Sequence, residues 1–66
     1  MKLTIDLAAH TTYLKLQDGD VAESEEVAEG IVLDFDLDGI VIGIECLRLS
    51  PDDERLMSVE IKTKAA

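Results

Sequence analysis

"DFDLDGIVIGIE" (residues 34–45) matches the calcium-loop pattern D-x-[DN]-x-[DN]-G-x5-E at every position. Asp34, Asp36 and Asp38 would take loop positions 1, 3 and 5, Gly39 the sharp turn, and Glu45 the bidentate position 12. The same letters also spell a β-hairpin, and the flanks decide between the two readings. A calcium loop needs a helix on each side. An exiting helix starting near Glu45 would meet Pro51 almost at once, which removes a backbone hydrogen bond and clashes with the preceding turn. An entering helix through "VAEGIVL" would hold Gly30 in its interior, followed by β-branched Ile31 and Val32.

The hairpin reading makes a definite prediction about register. With Asp38-Gly39 as a two-residue type I′ turn, Leu37 faces Ile40, Phe35 faces Ile42, Leu33 faces Ile44 and Ile31 faces Cys46. That face is wholly apolar. The other face pairs Asp36 with Val41, Asp34 with Gly43 and Val32 with Glu45. A three-residue loop closed by Asp36 and Ile40 would instead set Phe35 against Val41, Asp34 against Ile42 and Ile31 against Glu45, which mixes the faces. A slip of one residue moves a whole side-chain set across a sheet, so the clean partition selects the two-residue turn. Apolar side chains worth about 1.5–3 kcal/mol each when fully buried outweigh a flat carboxylate cluster. The hairpin wins.

Outward from this segment, "KLTID" (2–6) and "TYLKL" (12–16) alternate apolar and polar residues and read as a first hairpin around "LAAHT". Asp18-Gly19 reads as the next turn. "VAESEEV" (21–27) reads as a weaker, acidic third strand, suited to an edge where charge discourages aggregation. Ser50 is a helix N-cap, Pro51 fits the first helical position, and Asp52, Asp53 and Glu54 suit the positive end of the helix dipole. These signals predict a short helix over 51–58, with a final strand or frayed tail. The expected fold is α+β: one small domain over 1–66, an antiparallel meander of about four strands in two hairpins, and a short C-terminal helix.

Sixty-six residues with a single cysteine leave neither a disulfide nor a multi-cysteine zinc site to stiffen a small core. A homo-oligomer, with a dimer favoured, is the expected remedy. Asp6 interrupts what would be the apolar part of a secretory signal, and the longest apolar run is "IVIGI" (40–44), too short to span a bilayer. With a lone thiol, the expected location is the cytoplasm. Net charge is −9. All six basic residues lie outside residues 16–47, and that segment carries ten acids. Nucleic acid and anionic membranes are disfavoured as partners by repulsion; a basic protein is favoured.

Read together, these features make the chain resemble the short bacterial and archaeal proteins grouped as domain-of-unknown-function family 2283. The resemblance rests on the opening strand ending in Asp6, the Tyr13-led second strand, the acidic stretch with Glu29-Gly30, and "IVLDFDLDGIVIGIECL" (31–47). It runs from about Lys2 to Leu49. Leu7 and His10 depart from the usual Pro and acid of that group. The resemblance implies no established activity; its association with small toxin-like proteins implies an acidic binder of a basic, toxin-like partner.

Candidate chemistry is sparse. His10 has no acid or nucleophile beside it in sequence and reads as a turn residue. Cys46 falls on the apolar face and reads as a small hydrophobe. No phosphate loop or nucleophile elbow is present, so no enzyme activity and no cofactor are expected. Tyr13, Asp34, Asp36 and Glu45 are the expected interaction residues, with Tyr13 facing either a partner or the C-terminal helix. The alternative reading is a weak divalent-cation site made by Asp34, Asp36 and Glu45 on the acidic face, in the gap that Gly43 leaves beside Asp34.

Overall fold

The computed structural model describes residues 1–47 and 60–65. Five strands, β1 (Lys2–Asp6), β2 (Thr11–Lys15), β3 (Glu23–Ala28), β4 (Ile31–Phe35) and β5 (Val41–Cys46), form one antiparallel sheet in the order β1-β2-β5-β4-β3. The architecture is therefore all-β, not α+β, and there are five strands rather than four. No helix occurs among the described residues, and the helix expected over 51–58 lies outside them. Residues 60–65 add no strand.

The acidic run forms the weak third strand expected of it, and it lies at an edge. Glu23, Glu25 and Glu26 lower its strand propensity, yet an edge strand needs only one neighbour, and all six residues of β3 are exposed, so the carboxylates keep their water. The order is not that of a meander either. A meander would set β2 beside β3; here β2 pairs with β5, and residues 16–22 carry the chain past β5 and β4 to the far edge. Backbone bonds pin this connection at both ends: Leu16 N–H donates to the Ile42 carbonyl at 2.9 Å, and Ala22 N–H to the Phe35 carbonyl at 2.7 Å. Ile42 lies under the connection near Gly19 and is the one fully buried apolar side chain among the described residues, 2% exposed. The two strands richest in apolar residues, β4 and β5, lie inside the sheet and the most acidic takes an edge, which is what desolvation costs dictate.

Within the β4–β5 hairpin the inner register is as read: Ile31–Cys46, Val32–Glu45, Leu33–Ile44 and Asp34–Gly43. The tip differs. Asp36 N–H donates to the Ile40 carbonyl (2.9 Å), Gly39 N–H donates to the Asp36 carbonyl (3.0 Å), and Gly39 alone in the turn has positive φ, +78°. This is a three-residue loop, Leu37-Asp38-Gly39, and not a type I′ turn. Phe35 accordingly faces Val41, and a bulge at Ile42 returns the strands to register at Asp34–Gly43. The two alternatives were never exclusive: one extra residue absorbs the slip that would have mixed the faces. The shorter reading also missed what the longer loop gains. The Asp36 carboxylate accepts from both Asp38 N–H and Ile40 N–H at 2.9 Å, so this acid is occupied in building the turn.

The first hairpin closes over residues 7–10, with Asp6 Oδ1 accepting from Ala9 N–H at 3.0 Å and His10 at φ +56°, a turn conformation that histidine tolerates better than most residues. Leu3 faces Leu14 and Thr4 faces Tyr13. Alternation along β1, β2, β4 and β5 leaves one face mostly apolar (Leu3, Ile5, Leu14, Leu33, Phe35 and Ile44), to which the edge strand β3 adds Glu23 and Glu25, and one face polar, with Lys2, Thr4, Tyr13, Lys15, Ser24, Asp34 and Glu45.

Candidate functional site

The polar face carries one organised cluster. Register sets Lys15, Gly43, Asp34 and Ser24 in a row across β2, β5, β4 and β3, and Tyr13, Glu45 and Val32 in the next row. Tyr13 leans diagonally across β5 onto Gly43. Its hydroxyl donates to Asp34 Oδ2 at 3.1 Å, while the Ser24 hydroxyl donates to Asp34 Oδ1 at 2.6 Å. Asp34 is thereby 95% removed from solvent, at 5% exposed, on what reads from sequence as an open acidic surface. Only glycine fits under the ring: a Cβ at position 43 would fall inside the Tyr13 hydroxyl and within 2.6 Å of Tyr13 Cζ. The gap beside Asp34 that suggested room for a cation is filled by an aromatic side chain.

Of the four expected interaction residues, the fold joins Tyr13 to Asp34 and places Glu45 as the cross-strand neighbour of Tyr13. Asp36 is not part of this group, being turned into the hairpin loop. The proposed cation trio of Asp34, Asp36 and Glu45 is therefore not assembled, and no group of three or more His, Cys, Asp or Glu side chains suited to a metal ion occurs among the described residues. The Tyr13 hydroxyl is spent inside the sheet, on Asp34. Ser24 is the member that sequence reasoning missed. Its only signal was position: it pairs with Asp34 once β3 is accepted as a strand. Cys46 is a half-buried free thiol, and the Lys15 ammonium pairs with Asp18 at 3.1 Å.

The cluster has an electrostatic signature. The Tyr13 phenol is pushed above its ordinary 10.0, first by burial, then by its hydrogen bond to Asp34, then by the negative charges of Asp34 and Glu45. Folding thus favours the neutral hydroxyl. The stabilisation is complete below pH 10 and is lost as the pH climbs from there through the higher folded value. Tyr13 is the only tyrosine, and the chain has no tryptophan, so phenolate absorbance reports this one group. The expected alkaline midpoint lies above 10.0 in the folded protein and falls back toward it in urea or in Asp34→Asn. A folded midpoint at or below 10.0 would contradict the hydrogen bond.

Among the described residues no helix is long and apolar enough to cross a membrane. No curated protein and no solved structure matches the chain. The family described as "Protein of unknown function (DUF2283)" matches residues 2–50, which takes in all five strands and the Tyr13–Asp34–Ser24 cluster. On that match, covering well over half of its length, the chain belongs to the DUF2283 family.

Proposed function

We propose that this chain is a non-enzymatic protein-interaction module of the cytoplasm that self-associates and offers its acidic side to a basic, toxin-like protein partner. The observation that carries the reading is that the described residues form a single layer, one sheet. A sheet with one apolar face is stable when something packs on or beside it, and among the described residues Ile42 is the only apolar side chain fully withdrawn from water. Leu3 and Ile5 remain 43% and 39% exposed on the apolar face. A second copy of the chain is the partner always present at matching concentration, which favours a dimer.

Support for the basic partner comes from where the acids go. Glu23, Glu25 and Glu26 line the exposed outer strand β3, within the segment 16–47 that holds ten acids and no basic residue. Sedimentation or light scattering tests the first half of the proposal. The expected mass at micromolar concentration is about twice the 7.2 kDa of one chain. A monomer that stays folded on heating at that concentration would overturn it.

A further inference from the structure

We infer that the self-associating surface is the free edge of β1, which pairs antiparallel with β1 of a second copy about a two-fold axis through Thr4. The inference rests on the self-association proposed above and names its route. The two outer edges of the sheet are not equivalent. β3 carries Glu23, Glu25 and Glu26 and is bulged at Val27, both of which block strand addition. β1 is regular, pairs with β2 alone among the described strands, and is exposed at all five residues. It lies four strand spacings, about 19 Å, from the acidic edge, roughly two screening lengths at physiological salt. Two copies can approach here without bringing their acidic halves together.

The ladder determines what that edge displays. Leu16 N–H bonds to Ile42 O, so by alternation Leu14 and Thr12 also direct their backbone groups at β5, while Thr11, Tyr13 and Lys15 direct theirs at β1. Their partners Asp6, Thr4 and Lys2 point inward, leaving the N–H and C=O groups of Leu3 and Ile5 facing outward. A second β1 centred on Thr4 places Leu3 opposite the second copy's Ile5, and Ile5 opposite its Leu3, each a hydrogen-bonded pair. The same register sets Lys2 against Asp6 of the second copy and Asp6 against its Lys2. Side chains keep their faces about such an axis, so both ion pairs fall on the polar side and the half-exposed Leu3 and Ile5 pack against each other on the apolar side. Shifting the pairing by two residues either way loses both ion pairs and shortens the overlap. Backbone, charge and apolar pattern agree on one register.

The test uses full-length chains. Lys2→Glu and Asp6→Lys each turn the two cross-dimer pairs into like charges, and each is expected to weaken its own homodimer at least about tenfold. Mixed together they regain complementary pairs at every position, so sedimentation should show a selective heterodimer. Independently, Thr4→Cys in a Cys46→Ala chain should oxidise to a covalent dimer, because facing residues at a non-hydrogen-bonded pair lie about 4.5 Å apart at Cα, within disulfide reach. Leu37→Cys in the same background, at the exposed hairpin tip, should not. If the wild type dimerises but the charge variants do not select each other and Thr4→Cys cross-links no better than Leu37→Cys, the β1 route is overturned while self-association stands. A wild type that remains monomeric overturns both.

Discussion

Gly43→Ala is expected to destabilise the fold by about 2–4 kcal/mol, a large fraction of what a domain of this size possesses. One methyl group causes this because it occupies the space of the Tyr13 ring: Cζ would stand at 2.6 Å and Cε2 at 3.1 Å from the new Cβ. The ring must swing away, the hydroxyl leaves Asp34 Oδ2, and a carboxylate packed for two donors keeps one. The diagnosis is made by a double-mutant cycle. With Tyr13→Ala the obstruction is gone, and Gly43→Ala should become neutral or stabilising by up to about 1 kcal/mol, since glycine within a strand is entropically unfavourable. Urea unfolding of the four chains measures the coupling. Additive effects would mean that the ring does not rest on Gly43.

That dependence also explains where sequence reading stops. Both hairpins could be read from alternation, and so could the pairs from Ile31–Cys46 to Asp34–Gly43, because each arm is local and its face is enforced by apolar residues on both strands. Partner choice between distant strands is another matter. Nothing in "TTYLK" says that its neighbour is "VIGIEC" rather than the acidic run next in sequence; the pairing follows from which strands lose most by being wet, a property of the whole set. Asp18-Gly19 looks like a hairpin turn for the same reason that Asp38-Gly39 does, yet the former sits in a connection that crosses two strands.

The site inherits this blindness. Asp34, Tyr13 and Glu45 were legible as residues of interest, but their meeting requires β2 beside β5. Without that pairing Asp34 reads as an exposed acid and Gly43 as a gap. Two letters did carry the information: a glycine inside an apolar strand marks a close approach, and the only tyrosine of the chain is the side chain long enough to make it. Asp36 illustrates the converse. The pattern that placed it among calcium ligands is satisfied as fully by an Asx turn, where the short carboxylate collects two backbone N–H groups.

Asp34 therefore separates a structural acid from a partner-binding one. Asp34→Ala is expected to cost about 2–4 kcal/mol, because the Ser24 and Tyr13 hydroxyls lose their shared acceptor while the position is almost closed to water. Asp34→Asn is expected to cost less than about 1 kcal/mol: the amide keeps the shape, its oxygen accepts from Ser24, and its nitrogen donates to the Tyr13 oxygen, which then serves as acceptor. The contrast is informative because the two substitutions remove the same charge. An exposed acid that only recruits a basic protein would respond alike to Ala and Asn, losing partner affinity with little change in stability. A buried acid holding two hydroxyls distinguishes them sharply in urea midpoints. Ser24→Ala in the Asp34→Ala chain should add almost nothing, the bond being already gone. Equal midpoints for Asp34→Ala and Asp34→Asn would return Asp34 to the surface and reopen it as a recognition residue.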